Sequence, residues 1–204
     1  MKTLILVDIQ NDFVPGGALA VADGDQVVAV ANHLMPKFKL VVATQDWHPA
    51  DHGSFASQHE GVQVGDVFSL NGIQQVAWPD HCVQDAFGAK FVAGLNVNSI
   101  NHVVQKGTDP QIDSYSGFFD NDQRSSTGLA DLLKNHGTTE VVVMGLATDY
   151  CVKFTALDAV RLGFTTTVIL PGCRGVELQP GDIAAAVEQM RSAGVQFVKN
   201  IDGV

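Results

Sequence analysis

Four side chains able to move protons or attack carbon stand at or just past the ends of short apolar runs. They are Asp8, Asp46, Lys106 and Cys151. Asp8 closes Leu4-Ile-Leu-Val-Asp8, so its carboxylate ends what reads as a central, buried strand. Burying that charge alone is costly, and a compensating cation or proton suits a general base. Lys106, at the end of His102-Val-Val-Gln-Lys106, is one of only twelve basic residues and can pair with Asp8. Cys151 lies beyond a strand ending at Gly145, where a helix should begin near Thr148 or Asp149. In a first helical turn the free backbone N–H groups and the dipole would stabilise a thiolate and could hold an oxyanion. Blander roles exist for each: a buried structural thiol, a carboxylate capping nearby N–H groups, a solvated lysine. Asp12 is read as such a capping carboxylate. The convergence of all four on one rim favours chemistry.

A second constellation follows Asp46. In Gln45-Asp-Trp-His-Pro, Asp46 and His48 are two apart and project the same way from extended backbone, and His81 of Trp78-Pro-Asp-His-Cys82 can complete the set. Two histidines and one carboxylate suit one divalent ion, zinc foremost, with iron(II) and manganese as alternatives. His52 is either a fourth ligand or, the preferred reading, a group that supports the ligands. His33, His59, His102 and His136 read as structural or solvated, and Cys82 and Cys173 as packing thiols.

The elements that must position these residues are legible as continuously apolar, β-branched runs at Thr3 to Val7, Leu40 to Thr44, His102 to Gln105, Val141 to Met144, Thr165 to Leu170 and Val195 to Val198. Runs without alternation are covered on both faces, as in a parallel sheet. Helices fit between them at Gln26 to Lys37, Leu129 to Asn135 behind a Thr127 cap, Cys151 to Leu162 and Ile183 to Ala193. The alternation predicts a single-domain, three-layer α/β/α sandwich around a six-stranded, mostly parallel sheet, with ligands beyond the carboxyl ends of the strands. Residues 46–91, rich in His, Pro, Gly, Ser and Asp, read as an irregular metal-binding insertion.

Bulk properties narrow the function. A chain of 204 residues can bury one core, and a net charge of -10 repels phosphate backbones and anionic membranes. No nucleic-acid or membrane partner is expected. The N-terminal apolar run is too short for a signal core, so a cytoplasmic location is expected. Three cysteines leave at least one thiol free. Monomer and homo-oligomer stay equally open.

Three motifs, Val7-Asp-Ile-Gln-Asn-Asp-Phe13, the Gln45-Asp-Trp-His-Pro segment with Trp78-Pro-Asp-His-Cys82, and Gly145-Leu-Ala-Thr-Asp-Tyr-Cys-Val152, carry a resemblance that runs nearly end to end. With Lys106-Gly107 between them, the chain resembles the nicotinamidase branch of the isochorismatase-like cysteine hydrolases. The resemblance implies an Asp8, Lys106 and Cys151 triad and a metal held by Asp46, His48 and His81. It also implies a non-proline cis peptide at Leu146-Ala147, with the N–H groups of Ala147 and Cys151 as oxyanion donors. The reaction implied is hydrolysis of nicotinamide to nicotinic acid and ammonia through a thioester, feeding pyridine nucleotide salvage, with pyrazinamide as a side substrate. By the same resemblance Phe13, Trp78, Tyr115, Leu146 and Tyr150 are candidate ring walls, core packing being the alternative for each. Tyr150 is histidine in some relatives. Rival readings are another small-amide hydrolase of the superfamily and a non-catalytic metal or redox sensor. An isochorismatase would want arginines near the cysteine for its dianionic substrate, and the chain has only Arg124, Arg161, Arg174 and Arg191.

Overall fold

The computed structural model describes residues 1–201. Its strands are β1 (Lys2–Val7), β2 (Val41–Asp46), β3 (Val67–Leu70), β4 (Ile73–Val76), β5 (His102–Lys106), β6 (Glu140–Leu146), β7 (Thr165–Arg174) and β8 (Gln196–Val198). The helices are α1 (Val27–Leu34), α2 (Leu129–Asn135), α3 (Lys153–Arg161) and α4 (Asp182–Ser192). Six strands form one parallel sheet in the order β5-β2-β1-β6-β7-β8. The continuous apolar runs mark it well, since Leu4 to Val7 of β1 and Val141 to Met144 of β6 are buried on both faces.

Connections from β1 lead outward to β2, and those from β6 lead the other way to β7 and β8. Right-handed crossovers in opposite directions put α1 and α3 on opposite faces, giving the three layers. They also make the gap between the carboxyl ends of β1 and β6 the point where the winding reverses and a crevice opens. No described helix is long and apolar enough to cross a membrane.

Four local departures have physical causes. Within 46–91 the chain forms an antiparallel hairpin, β3 with β4, closed by Asn71 (φ 50) and Gly72 (φ 89). Two consecutive positive φ values are what an Asn-Gly hairpin turn requires. The helix expected to Lys37 is α-helical only to Leu34, then tightens into a 3-10 turn at Met35–Lys37, where Pro36 has no N–H to donate. Strand β7 runs on through Pro171 to Arg174, and the ladder skips from Val143↔Val168 to Gly145↔Cys173, a bulge that spares the proline a ladder bond. Before α3, residues Thr148–Val152 form a π turn, with the Val152 N–H donating to the Ala147 carbonyl five residues back at 3.1 Å. The cap expected at Thr127 falls one residue later: Gly128 (φ 87) is the N-cap of α2, and Thr127 just before it accepts the Leu129 N–H on Oγ1 at 3.2 Å.

Candidate active site

Sheet register delivers the first cluster. Asp46 and Lys106 are Cα partners across β2 and β5, and Asp8 and Cys151 follow the neighbouring ends of β1 and β6. The Lys106 ammonium, fully buried, lies 2.9 Å from Asp8 Oδ2 and 2.5 Å from Asp46 Oδ1. It also donates to the Ser114 carbonyl at 2.9 Å and reaches the Cys151 sulfur at 3.4 Å. Asp8 sits at φ 49 and accepts the Thr44 hydroxyl on Oδ1 at 2.6 Å. One oxygen of Asp8, one of Asp46 and the Cys151 sulfur all lie within 4.8 Å of one another.

This packing sets the protonation states. Burial drives the Asp8 carboxyl up to about 6, against the pull of Lys106 and with a further push from Asp46. Asp46, equally buried, is held below the ordinary carboxylate range by Lys106 and His48. Burial would lower Lys106, yet the two carboxylates hold it firmly charged. Burial pushes the Cys151 thiol well up, and Lys106 offsets this only in part while Asp8 and Asp46 add to it. The expectation that a helix terminus would stabilise a resting thiolate is therefore corrected: the sulfur is in a buried π turn beside two carboxylates, and desolvation wins. A protonated thiol beside a carboxylate raised to about 6 is an arrangement able to support general-base activation of the sulfur.

The second cluster abuts the first through Asp46. Its Oδ2 faces His48 Nε2 at 3.8 Å and His81 Nε2 at 4.0 Å. His48 donates Nδ1–H to the Gly107 carbonyl and His81 donates Nδ1–H to the Pro79 carbonyl, each at 2.8 Å. Carbonyls only accept, so each ring carries a proton on Nδ1 and turns Nε2 toward Asp46; burial would lower His48, yet Asp46 raises it above the ordinary imidazole range, and its buried Nε2 has no hydrogen-bond partner among the described residues. Burial and His48 lower His81 to about 4, keeping it neutral. A Cβ at Gly107 (φ 64) would overlap the His48 ring, so glycine is needed there. His52 differs. Its Nδ1 accepts the Ser54 N–H at 3.2 Å, and burial keeps the ring neutral, so its proton is on Nε2, which has no hydrogen-bond partner among the described residues.

Among the described residues three groupings could hold an ion: Asp46 with His48 and His81, His48 with His52 and Asp113, and Asp8 with Asp46 and Cys151. The last already holds the Lys106 ammonium, and the second includes the protonated His52 nitrogen. The chemistry of the donors fits a divalent cation best at Asp46, His48 and His81.

Both clusters open on one cleft, lined by apolar and aromatic side chains around a few polar groups. Its aromatic walls are Phe13, Trp78, Tyr115 and Tyr150, joined by Leu19, Ala147 and Val176, with Asp46, His81, Asp113 and Cys151 as the polar groups. Trp78 Nε1 donates to the Tyr115 hydroxyl at 3.0 Å, and the Trp78 and Tyr150 rings meet edge to face at 4.9 Å.

A family model described as the Isochorismatase domain matches residues 2–201. The chain belongs to the isochorismatase family. It is 53% identical over 197 residues to a nicotinamidase of Escherichia coli K12, covering 95% of this chain and 92% of that protein. A solved structure of an Acinetobacter baumanii nicotinamidase and pyrazinamidase superposes with a TM-score of 0.96 at 43% identity, covering 100% of this chain and 98% of that one. A pyrazinamidase of Pyrococcus horikoshii, solved in complex with zinc, superposes with a TM-score of 0.79 at 37% identity, covering 98% and 99%.

Within this isochorismatase-family rim, Asp8, Lys106, Cys151, Asp46, His48 and His81 come together, and the cis peptide at Leu146-Ala147 is present. Phe13, Trp78, Tyr115 and Tyr150 line the cleft. Leu146 does not: it is the last residue of β6, fully buried in the core beneath the cleft. Lys106 is not the partner of Asp8 alone but is shared with Asp46. Sequence reasoning missed Leu19, Val176 and Asp113 as lining groups. It also missed Gln10, whose amide donates to the Asp46 carbonyl at 2.8 Å and accepts the Asp46 N–H at 2.8 Å. Gln10 lies inside a quoted motif, three residues after an apolar run, which was the available signal. Asp12 acts as read, accepting the Cys82 N–H at 2.7 Å and the Ala18 N–H at 3.2 Å.

Proposed function

We propose that the protein is a metal-dependent nicotinamidase, hydrolysing nicotinamide to nicotinate and ammonia through a thioester on Cys151, with pyrazinamide as a further substrate. One observation carries the reading: a cysteine sulfur 3.4 Å from a lysine that is 2.9 Å from a carboxylate raised by burial to about 6, beside an aromatic-lined cleft. The nicotinamidase and pyrazinamidase relatives supply the substrate class. Asp46, His48 and His81 would hold one divalent ion, zinc by analogy with the Pyrococcus horikoshii protein. When bound, such an ion supplies a Lewis-acidic anchor for the ring nitrogen of the substrate.

The chain's own residues do the rest. Phe13, Trp78 and Tyr115 sandwich the ring and exclude water, presenting the carboxamide carbon to Cys151. Asp8 takes the thiol proton as sulfur attacks, and Lys106 balances the carboxylate before transfer and the charge beside it afterwards. The N–H groups of Ala147 and Cys151 receive the oxyanion. Asp8 returns its proton to the departing nitrogen, ammonia leaves, and a water deprotonated by Asp8 cleaves the thioester. His52, its Nδ1 tied to the Ser54 N–H and its ring packed on His48 with centroids 4.2 Å apart, supports the ligands rather than joining them. The test is ammonia release from nicotinamide by wild type and Cys151→Ala, before and after chelation and metal return. Activity lost in the variant and restored by metal in the wild type is expected. No ammonia from the metal-restored wild type would refute the substrate.

A further inference from the structure

Val176 belongs to the pocket wall yet sits in no regular element, on the stretch between β7 and α4. What holds it is the turn that bears the nucleophile. The Val176 N–H donates to one carboxylate oxygen of Asp149 at 2.9 Å, and the Glu177 N–H donates to the other at 2.7 Å. Asp149 is only 3% exposed and lies two residues before Cys151 in the π turn. Glu177 is held at φ 52, a left-handed conformation few non-glycine residues adopt. Two charge-assisted bonds from consecutive amides to one carboxylate make a stiff clamp. The clamp registers one side of the slot directly against the sulfur. The aromatic side has its own ties, since the Tyr115 hydroxyl accepts from both Trp78 and Gln75 at 3.0 Å. Releasing Val176 therefore changes one wall and leaves the other.

We propose that Asp149 is a specificity-setting positioning residue: through Val176 it fixes the width of the ring slot relative to Cys151 and so limits the ring substituents accepted. The proposal rests on the amidase reading above. Asp149 is not catalytic, because both of its oxygens are committed to backbone amides.

Steady-state ammonia release from nicotinamide and from a methyl-substituted nicotinamide tests it, using wild type, Asp149→Ala, Asp149→Asn, Val176→Ala and the Asp149→Ala/Val176→Ala double variant. Asp149→Ala should raise KM for nicotinamide about tenfold, the scale of one apolar wall contact, while kcat changes by less than about threefold. The preference for the unsubstituted ring should shrink by a similar factor. Asp149→Asn keeps an acceptor oxygen and should fall between. Val176→Ala should reproduce the loss of ring preference, and the double variant should be no worse than Asp149→Ala, because both changes remove the same wall. A fall in kcat with KM and ring preference unmoved would overturn the proposal, as would additive effects in the double variant. Should Asp149→Ala not fold, an unchanged ring preference in both Asp149→Asn and Val176→Ala overturns it equally. A wild type that releases no ammonia from nicotinamide sinks the amidase reading and this inference together. An active wild type whose ring preference survives every variant sinks this inference alone.

Discussion

Lys106 and His81 stand on either side of Asp46, yet the chain fixes them by different means. Lys106 is a Cα partner of Asp46 in the β2–β5 ladder, and its ammonium is bonded to four groups from four separate parts of the chain. His81 is in no strand. Its Nδ1 bond to Pro79 sets the ring, and the backbone beside it is held by the Cys82 N–H to Asp12 and by the His48 N–H to the Cys82 carbonyl at 3.0 Å. The sheet rim inherits its precision from register, which cannot slip without turning a buried strand inside out. The insertion inherits its precision from single hydrogen bonds, each of which can be lost while the fold stays. Damage at the rim should therefore be global, and damage in the insertion local.

Lys106→Met is the largest test of that contrast. It leaves two carboxylates buried without their cation, a loss on the order of 3–5 kcal/mol of stability. Denaturant titration of the variant should show that drop alongside near-complete loss of ammonia release. A variant as stable as wild type would mean that the rim does not depend on this cation. Asp12→Ala is the matching change against the insertion, since Asp12, just after β1, holds the Cys82 amide next to His81 and its loss frees that amide. Metal affinity, measured by chelator competition, should fall about 10–100-fold, the usual effect of losing a group that orients a ligand, with the denaturation midpoint little changed. A global loss of stability in Asp12→Ala would erase the distinction.

Much of the rim was readable because apolar runs end visibly: Asp8, Lys106 and Asp46 each close one. Register was not readable, which is why Lys106 was paired with Asp8 and its second partner, Asp46, escaped notice. The thiol's state was misjudged for a related reason. Helix-end stabilisation is a local property that sequence displays, whereas the burial and the two carboxylates that outweigh it are tertiary. The π turn at Thr148–Val152 rests on an amide bond reaching back five residues, which no side-chain pattern announces. In the insertion, Asn71-Gly72 between two short runs was a legible hairpin signal, masked by the polar residues around it. Gln75 and Asp113 look solvated in sequence and are 2% and 3% exposed.

Asp8 gives a pH test that belongs to the rim alone. Its folded value of about 6 exceeds the ordinary 3.8, so burial favours the protonated form, and this contribution to stability is present at low pH and lost as pH rises through 6. In the proposed mechanism catalysis runs the opposite way, because only the ionised carboxylate accepts the thiol proton. The kcat/KM of metal-loaded enzyme should be flat above about pH 7 and fall roughly tenfold per unit well below 6. An acid limb centred near 4 would mean that Asp8 is not the group being titrated.

The smallest effect is expected at Gln75, where the hairpin meets the cleft. Its amide nitrogen donates to the Val76 carbonyl at 2.9 Å, Asp113 Oδ2 at 3.1 Å and the Tyr115 hydroxyl at 3.0 Å. Gln75→Leu keeps the bulk and strips those donors, leaving Asp113 and Tyr115 each short of one partner, a cost on the order of 1–3 kcal/mol. Tyr115 keeps its bond from Trp78, so the ring wall loosens without collapsing. KM for nicotinamide should rise by less than about tenfold, with kcat and metal affinity unchanged. If metal affinity fell as well, the hairpin and the His48–His81 segment would be one cooperative unit, and the insertion would behave like the rim it has been set against.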